Sequence, residues 1–159
     1  MSGFDSARFR QVLGHFPTGV TVVAGNGDDG PVGLTIGSFT SVSLDPPLVG
    51  FLPGKGSSSW PVIHRSGGFC VNILAADQGE LCWRFARDAA RFDGLTWEAA
   101  GGSGSPIIDG VLAWIDCTVE EVVDAGDHWF VLGRVLSMEA REGEPMLFFR
   151  GKLGSFVEG

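Results

Sequence analysis

Two short stretches gather the groups that could hold an anionic ligand. TIGSFTSVS, Thr35 to Ser43, and KGSSS, Lys55 to Ser59, set hydroxyls, glycine amides and one lysine into an otherwise apolar chain. Serines just ahead of an apolar stretch announce a helix start, and Lys55 stands beside it. Amides at the positive end of a helix, hydroxyls and an ammonium group together bind phosphate through charge-assisted hydrogen bonds. One such serine alone reads as a turn or cap residue. Two clusters, one of them beside a lysine, point to a binding site. His128, in GDHWF at the start of a strand, is of a type that suits a part in a reaction, although a lone histidine is more often a surface or satisfied core residue. His15 and His64 fall on expected helices and read as structural.

Other chemistries lack their residues. Gly54, Gly56 and Ser59 stand at G-x-G-x-x-S, but a dinucleotide fold needs parallel βαβ repetition, which this chain does not show. A nucleoside triphosphate loop is excluded by Val49 where its first glycine belongs and by Gly56 where a hydroxyl is needed. G-x-S-x-G, H-E-x-x-H and Cys-x-x-Cys are absent, so neither a hydrolase nor a metal site is indicated. Cys70, Cys82 and Cys117 are odd in number and lie in apolar contexts, as reduced core thiols would.

A formal charge of −8 repels phosphate backbones and anionic lipid, which argues against nucleic acid as a partner. The apolar runs end well short of the roughly 18 residues a membrane span requires. MSGFDSARFRQ is charged and lacks the apolar core of a secretion signal, so the expected location is the cytoplasm. With 25 glycines among 159 residues, spread without a period, tight turns and therefore β structure are expected.

These groups need elements to carry them. Phe9, Val12, Leu13 and Phe16 share one helical face between Phe4 and Phe16, with Asp5 as N-cap and Pro17 as stop. Val20 to Ala24 and Val32 to Ser38 read as a hairpin around GNGDDGPVG. Leu48 to Leu52 reads as a strand buried on both faces, SSSWPVIHRSG as a short helix and Phe69 to Ala75 as a strand. QGELCWRFARDAARF reads as a helix with Leu81, Cys82 and Phe85 on one side. From Val111 the chain alternates, with Val111, Ala113, Ile115, Cys117 and Val119 facing the core and Leu112, Trp114, Asp116, Thr118 and Glu120 facing away. DAGD is the expected turn to a second long strand, Trp129 to Ala140. Strands dominate, with three short helices, which predicts one domain over 1–159 built as a closed or nearly closed antiparallel barrel.

The blocks FRQVLGHFPTGVTVV, GLTIGSFTSVSLDPPLVGF, SSSWPVI, FCVNIL, RF, GSPIIDGVLAWIDCTV, GDHWFVLGRV and PMLFFRGK, in that order across residues 8 to 156, resemble the flavin reductase family. The similarity is to the short-chain NAD(P)H:flavin oxidoreductases that serve two-component flavin monooxygenases. It implies a mainly β fold, an antiparallel split β-barrel of Greek-key type that binds FMN, flanked by short helices and paired as a homodimer with the flavin near the interface.

By this resemblance Thr35, Ile36, Gly37 and Ser38 line the isoalloxazine ring, with Ser41 and Val42 on the same wall. Leu52 and Pro53, then Lys55, Ser57, Ser58 and Ser59, correspond to the ribityl and phosphate site. His128 corresponds to the histidine of a Gly-Asp-His motif beside the nicotinamide, and Phe149, Arg150 and Gly151 to a late segment that contacts pyridine nucleotide. Ile36 and Gly37 replace an Ala-Asn type pair, and Leu153 stands where an aromatic often does. The implied function is hydride transfer from NADH, or NADPH, to FMN, or FAD, with reduced flavin passing to an oxygenase. No metal is implied. The alternative is a split-barrel flavin carrier without pyridine nucleotide turnover. A third class, a barrel binding some other apolar ligand, leaves the serine-lysine cluster unexplained.

Overall fold

The computed structural model describes residues 3–89 and 92–159, and within them twelve strands and three short helices follow one another. The order is α1 (Ser6–Leu13), β1 (Thr18–Gly19), β2 (Thr21–Gly27), β3 (Gly30–Ile36), β4 (Thr40–Ser43), β5 (Leu48–Phe51), α2 (Ser59–Ser66), β6 (Gly68–Ile73), α3 (Gly79–Ala86), β7 (Trp97–Ala99), β8 (Pro106–Ile108), β9 (Ala113–Ala125), β10 (His128–Ala140), β11 (Leu147–Phe149) and β12 (Lys152–Gly154). Seven strands form one antiparallel sheet in the order β3-β2-β6-β9-β10-β5-β4. Its two edges, β3 and β4, are consecutive in the chain yet not paired with each other, so the barrel is split there. The barrel expected from the sequence is therefore present, mainly β, antiparallel and open along one seam. Two smaller sheets, β1-β11-β12 and β7-β8, accompany it.

Burial explains the apolar runs. Val23, Ile36, Val49, Phe51, Phe69, Val71, Cys117 and Val131, drawn from six strands, meet inside the curved sheet, and Trp60 and Ile63 of α2 join them. Phe51 stands edge-on to both Trp60 and Phe69, with centroids 5.7 and 5.1 Å away. Each such side chain contributes about 1.5–3 kcal/mol by leaving water. Gly133 in β10 is open to no side chain, because a Cβ there would lie 2.5 Å from the Phe69 ring. On the outer face Val22 and Ala24 pack with Leu81, Cys82 and Phe85 of α3. β2 is thus covered on both sides, which is why VTVVA does not alternate.

The local chemistry follows the sequence closely at several ends. The Asp5 carboxylate accepts from the Arg8 amide at 3.0 Å and caps α1. Left-handed Gly67, φ +84°, ends α2. Other expectations need correction. α1 is shorter than Phe4 to Phe16, and α3 covers only part of Gln78 to Phe92, of which Ala90 and Arg91 lie outside the described residues. Met1 and Ser2, read above as part of the charged N-terminus, lie outside them too. The strand expected from Val111 begins at Ala113 and runs to Ala125, which narrows the DAGD turn to Gly126 and Asp127. Register shifts leave Glu120 of β9 and Leu136 of β10 without a register partner and interrupt the alternation of each long strand. Asp116, expected to face away from the core, is fully buried. Its carboxylate accepts from the Gly102 and Ser103 amides at 3.1 and 3.0 Å and from the Ser103 hydroxyl, so the loop before β8 covers that face.

Candidate active site along the barrel seam

The connector between the unpaired edges, Gly37 to Phe39, carries the first candidate cluster. The Leu52 amide donates to Ser38 Oγ at 3.0 Å, which ties this connector to the end of β5 across the split. Thr35 Oγ1 donates to the Cys82 carbonyl at 2.7 Å and fastens the end of β3 to α3. Ile36 turns its side chain into the core, 5% exposed, and its carbonyl accepts from Thr21 Oγ1. Gly37 and Ser38 are exposed beside a cleft of about 440 Å³ lined by Phe16, Thr18, Gly37, Ser38, Thr40 and Ile73 among others. Ser41 pairs with Val49, and Val42 sits in the bulge that follows, so both stand on the exposed edge strand β4.

The serine cluster divides. The Ser57 hydroxyl accepts from the Trp60 amide at 3.2 Å, as a helix-start serine should. Ser58, the N-cap residue of α2, makes no side-chain cap. Its hydroxyl donates to Asp88 Oδ1 at 2.5 Å, and its amide donates to the same oxygen at 3.2 Å. These hydrogen bonds hold the Asp88 carboxyl below the usual carboxylate range. Ser57 and Ser59 line a second cleft, about 360 Å³, with Thr35, Gly56, Arg87 and Asp88. Arg87 has no ion-pair partner among the described residues. Sequence reading missed it because an arginine after a helix carries no motif; only the fold turns it toward the serines.

Lys55 goes elsewhere than the helix start. Its ammonium pairs with Asp124 at 2.7 Å and lies 4.5 Å from the centre of the Trp129 ring. This hydrogen bond and the lysine's charge lower the Asp124 pKa. The backbone explains the placement: Lys55 N donates to the Asp127 carbonyl, Trp129 N donates to the Pro53 carbonyl, and Gly54 bridges His128. Lys55 thus belongs to the corner that holds His128. There the imidazole Nδ1–H donates to Asp127 Oδ1 at 2.8 Å, which lowers the Asp127 pKa and leaves Nε2 turned toward Gly54. The ring is about half exposed.

Phe149, Arg150 and Gly151 form the tip of the β11–β12 hairpin. Arg150 and Gly151 have φ +52° and +80°, the pair of left-handed residues that a two-residue hairpin turn requires. The Arg150 amide donates to the Gly14 carbonyl, and Phe149 meets His15 edge-on, so the tip leans on the end of α1. β11 pairs Phe148 with Thr18, and a Cβ at Gly37 would lie 3.4 Å from Thr18 Oγ1. Leu153, below the tip, packs against the core. The late segment, the Thr35 to Ser38 wall, the Leu52 to Lys55 turn and His128 are therefore linked in one contact chain along the seam.

Among the described residues no cluster of His, Cys, Asp or Glu could hold a metal. The three thiols are free and buried. Burial, with Asp116 second, raises Cys70 strongly and pushes Cys117 up to about 12, and burial raises Cys82. Each shift disfavours the thiolate, the reactive form of a cysteine.

Residues 13–156 match the flavin reductase like domain family. The chain belongs to the flavin reductase family. Over 150 residues it is 52% identical to the reductase subunit of a flavin-dependent monooxygenase of Rhodococcus jostii, covering 93% of this chain and 76% of that one. It is 45% identical over 154 residues to an FMN reductase (NADH) of Agrobacterium fabrum, covering 97% and 88%. The crystal structure of nitrilotriacetate monooxygenase component B from Mycobacterium thermoresistibile superposes with a TM-score of 0.91 at 46% identity, covering 96% of this chain and 87% of that one. The activity of this family member is that of an NAD(P)H:flavin oxidoreductase.

Proposed function

We propose that the chain, acting as one domain over 1–159, passes a hydride from NADH to FMN at the barrel seam and releases the reduced flavin to an oxygenase. The observation that carries this reading is the seam itself: an exposed wall at Gly37 and Ser38, a serine cleft and His128, joined by direct contacts. The residues fit FMN on their own chemistry, because the Ser58 amide and hydroxyl already hold an anionic oxygen, that of Asp88. Bound flavin supplies the hydride-accepting ring, and the nicotinamide supplies the hydride.

The chain's own groups bind and orient. Thr35 to Ser38, through backbone and hydroxyls, with Ser41 and Val42 beside them, would face the ring. Leu52 and Pro53 would adjoin the ribityl chain. Ser57, Ser58, Ser59 and Lys55 would hold the phosphate, and Arg87 joins them. Phe149, Arg150, Gly151 and His128 would position the nicotinamide, with Asp127 fixing the tilt of the imidazole. Arg87→Ala is expected to weaken FMN about tenfold and leave riboflavin, which lacks the phosphate, within twofold. Equal losses for both ligands would remove the phosphate from this cleft. Lys55→Ala should show a smaller preference for FMN, since Asp124 already engages the ammonium.

The homodimer implied by the resemblance finds support in α1. Phe9, Val12 and Leu13 of α1, and Phe16, which lies beyond the helix end and not on its face as expected, are each about half exposed or more, and no residue of the helix is buried. A second copy of the chain is the partner that would cover this face beside the seam. Sedimentation at micromolar concentration should give a dimer, and Leu13→Asp a monomer; a monomeric wild type with full activity would remove the interface from the mechanism. No helix among the described residues is long and apolar enough to cross a membrane. Reduced Cys70, Cys82 and Cys117 and the use of NADH suit the cytoplasm.

A further inference from the structure

We propose that Asp88 is a built-in competitor for the flavin phosphate, occupying its hydrogen-bond donors in the empty protein and returning to them as flavin leaves. The inference rests on the phosphate reading above and concerns how long the ligand stays. A single carboxylate oxygen of Asp88 takes both the amide and the hydroxyl of Ser58, two donors at the start of α2.

The contact is long-range and specific. Thirty residues separate the partners, and the segment that delivers the carboxylate leaves α3 through Arg87 in extended conformation. Ala89, immediately after it, has φ +57°, a left-handed conformation unfavourable for a non-glycine residue. Structural anchoring explains little of this, because Asp88 is exposed and an exposed polar pair adds little to stability. The α2 helix is held in any case by Trp60 and Ile63 in the core.

The neighbouring cation completes the device. Arg87 lines the same cleft as Ser57, Ser59 and Asp88 and has no ion-pair partner among the described residues. A phosphate dianion entering the cleft repels the Asp88 carboxylate, takes the Ser58 amide and hydroxyl in its place, and gains Arg87 as a counter-ion. Departure reverses each contact, so the vacated donors are never left bare. A protein that must hand on its reduced flavin gains from such an exchange, since the carboxylate lowers phosphate affinity without touching the ring site.

The test compares FMN with riboflavin by flavin fluorescence quenching, in Asp88→Asn and Asp88→Ala. Asn keeps an acceptor for Ser58 and removes the charge; Ala removes both. FMN is expected to bind about tenfold tighter to both variants and to dissociate correspondingly more slowly, with riboflavin unchanged within twofold. FMN affinity unchanged or weakened in both variants, while Arg87→Ala still weakens FMN alone, overturns the competition and leaves the phosphate site standing. FMN and riboflavin moving together in Arg87→Ala and in both Asp88 variants overturns the site reading and this proposal with it.

Discussion

Replacing His128 by alanine should slow flavin reduction by NADH roughly ten- to a hundredfold, a loss of about 1.4–2.8 kcal/mol in transition-state stabilisation, and raise the KM for NADH. FMN affinity should stay nearly unchanged, because the imidazole lies at the β9–β10 turn beside Gly54 and does not line the serine cleft. Asp127 holds Nδ1, so one ring nitrogen is committed to orientation and Nε2 is left to face a ligand. Asp127→Asn should then reproduce part of the His128 defect by loosening the ring. A pH profile separates the two roles for the imidazole. A positioning ring gives a reduction rate that does not track a histidine ionisation, whereas an obligatory proton donor gives a rate that falls as that group loses its proton. Single-turnover reduction at the wild-type rate in the alanine variant would reduce His128 to a surface turn residue and move the nicotinamide site toward Phe149 and Arg150.

Asp116→Ala should lower stability by about 3 kcal/mol. The side chain is fully buried, and removing it strands the Gly102 and Ser103 amides and the Ser103 hydroxyl without their acceptor. The loop cannot simply close over the gap, because Ser103 Oγ is also hydrogen-bonded to the Ser105 hydroxyl and accepts from the Ser105 amide. Asp116→Asn should cost less, since it keeps one oxygen acceptor. Urea unfolding followed by tryptophan fluorescence reads both, and a midpoint for the alanine variant equal to that of wild type would contradict this account of the loop.

Wherever one face of an element is packed and the other wet, the amino-acid pattern is legible. Asp5 before α1, Leu81, Cys82 and Phe85 on one side of α3, and the two long strands around Gly126 all carry their signals locally. Asp116 was illegible because its polarity matches an outward position, and only the distant Gly102 and Ser103 amides make burial tolerable. The short strands β1, β11 and β12 escaped notice because two or three residues have no period to read. At the seam, residue types pointed to an anion site while side-chain directions stayed hidden. Lys55 is drawn from the serines by Asp124 and Trp129, contributed by a hairpin about seventy residues later, and only the segment after α3 brings Asp88 to Ser58 and Arg87 to the cleft of Ser57 and Ser59. The apolar face of α1 reads as a core face in sequence and stands uncovered in the single chain, since periodicity does not distinguish burial within a chain from burial between chains.

The central claim is hydride transfer to flavin at this seam, and anaerobic stopped-flow mixing of the purified protein and FMN with NADH tests it most directly, by bleaching of the oxidised flavin band. Reduction is expected to be far faster than that of free FMN by NADH under the same conditions, to saturate with NADH and to be slowed by His128→Ala. Tight FMN binding with bleaching no faster than in protein-free buffer would contradict it and leave a split-barrel flavin carrier without pyridine nucleotide turnover.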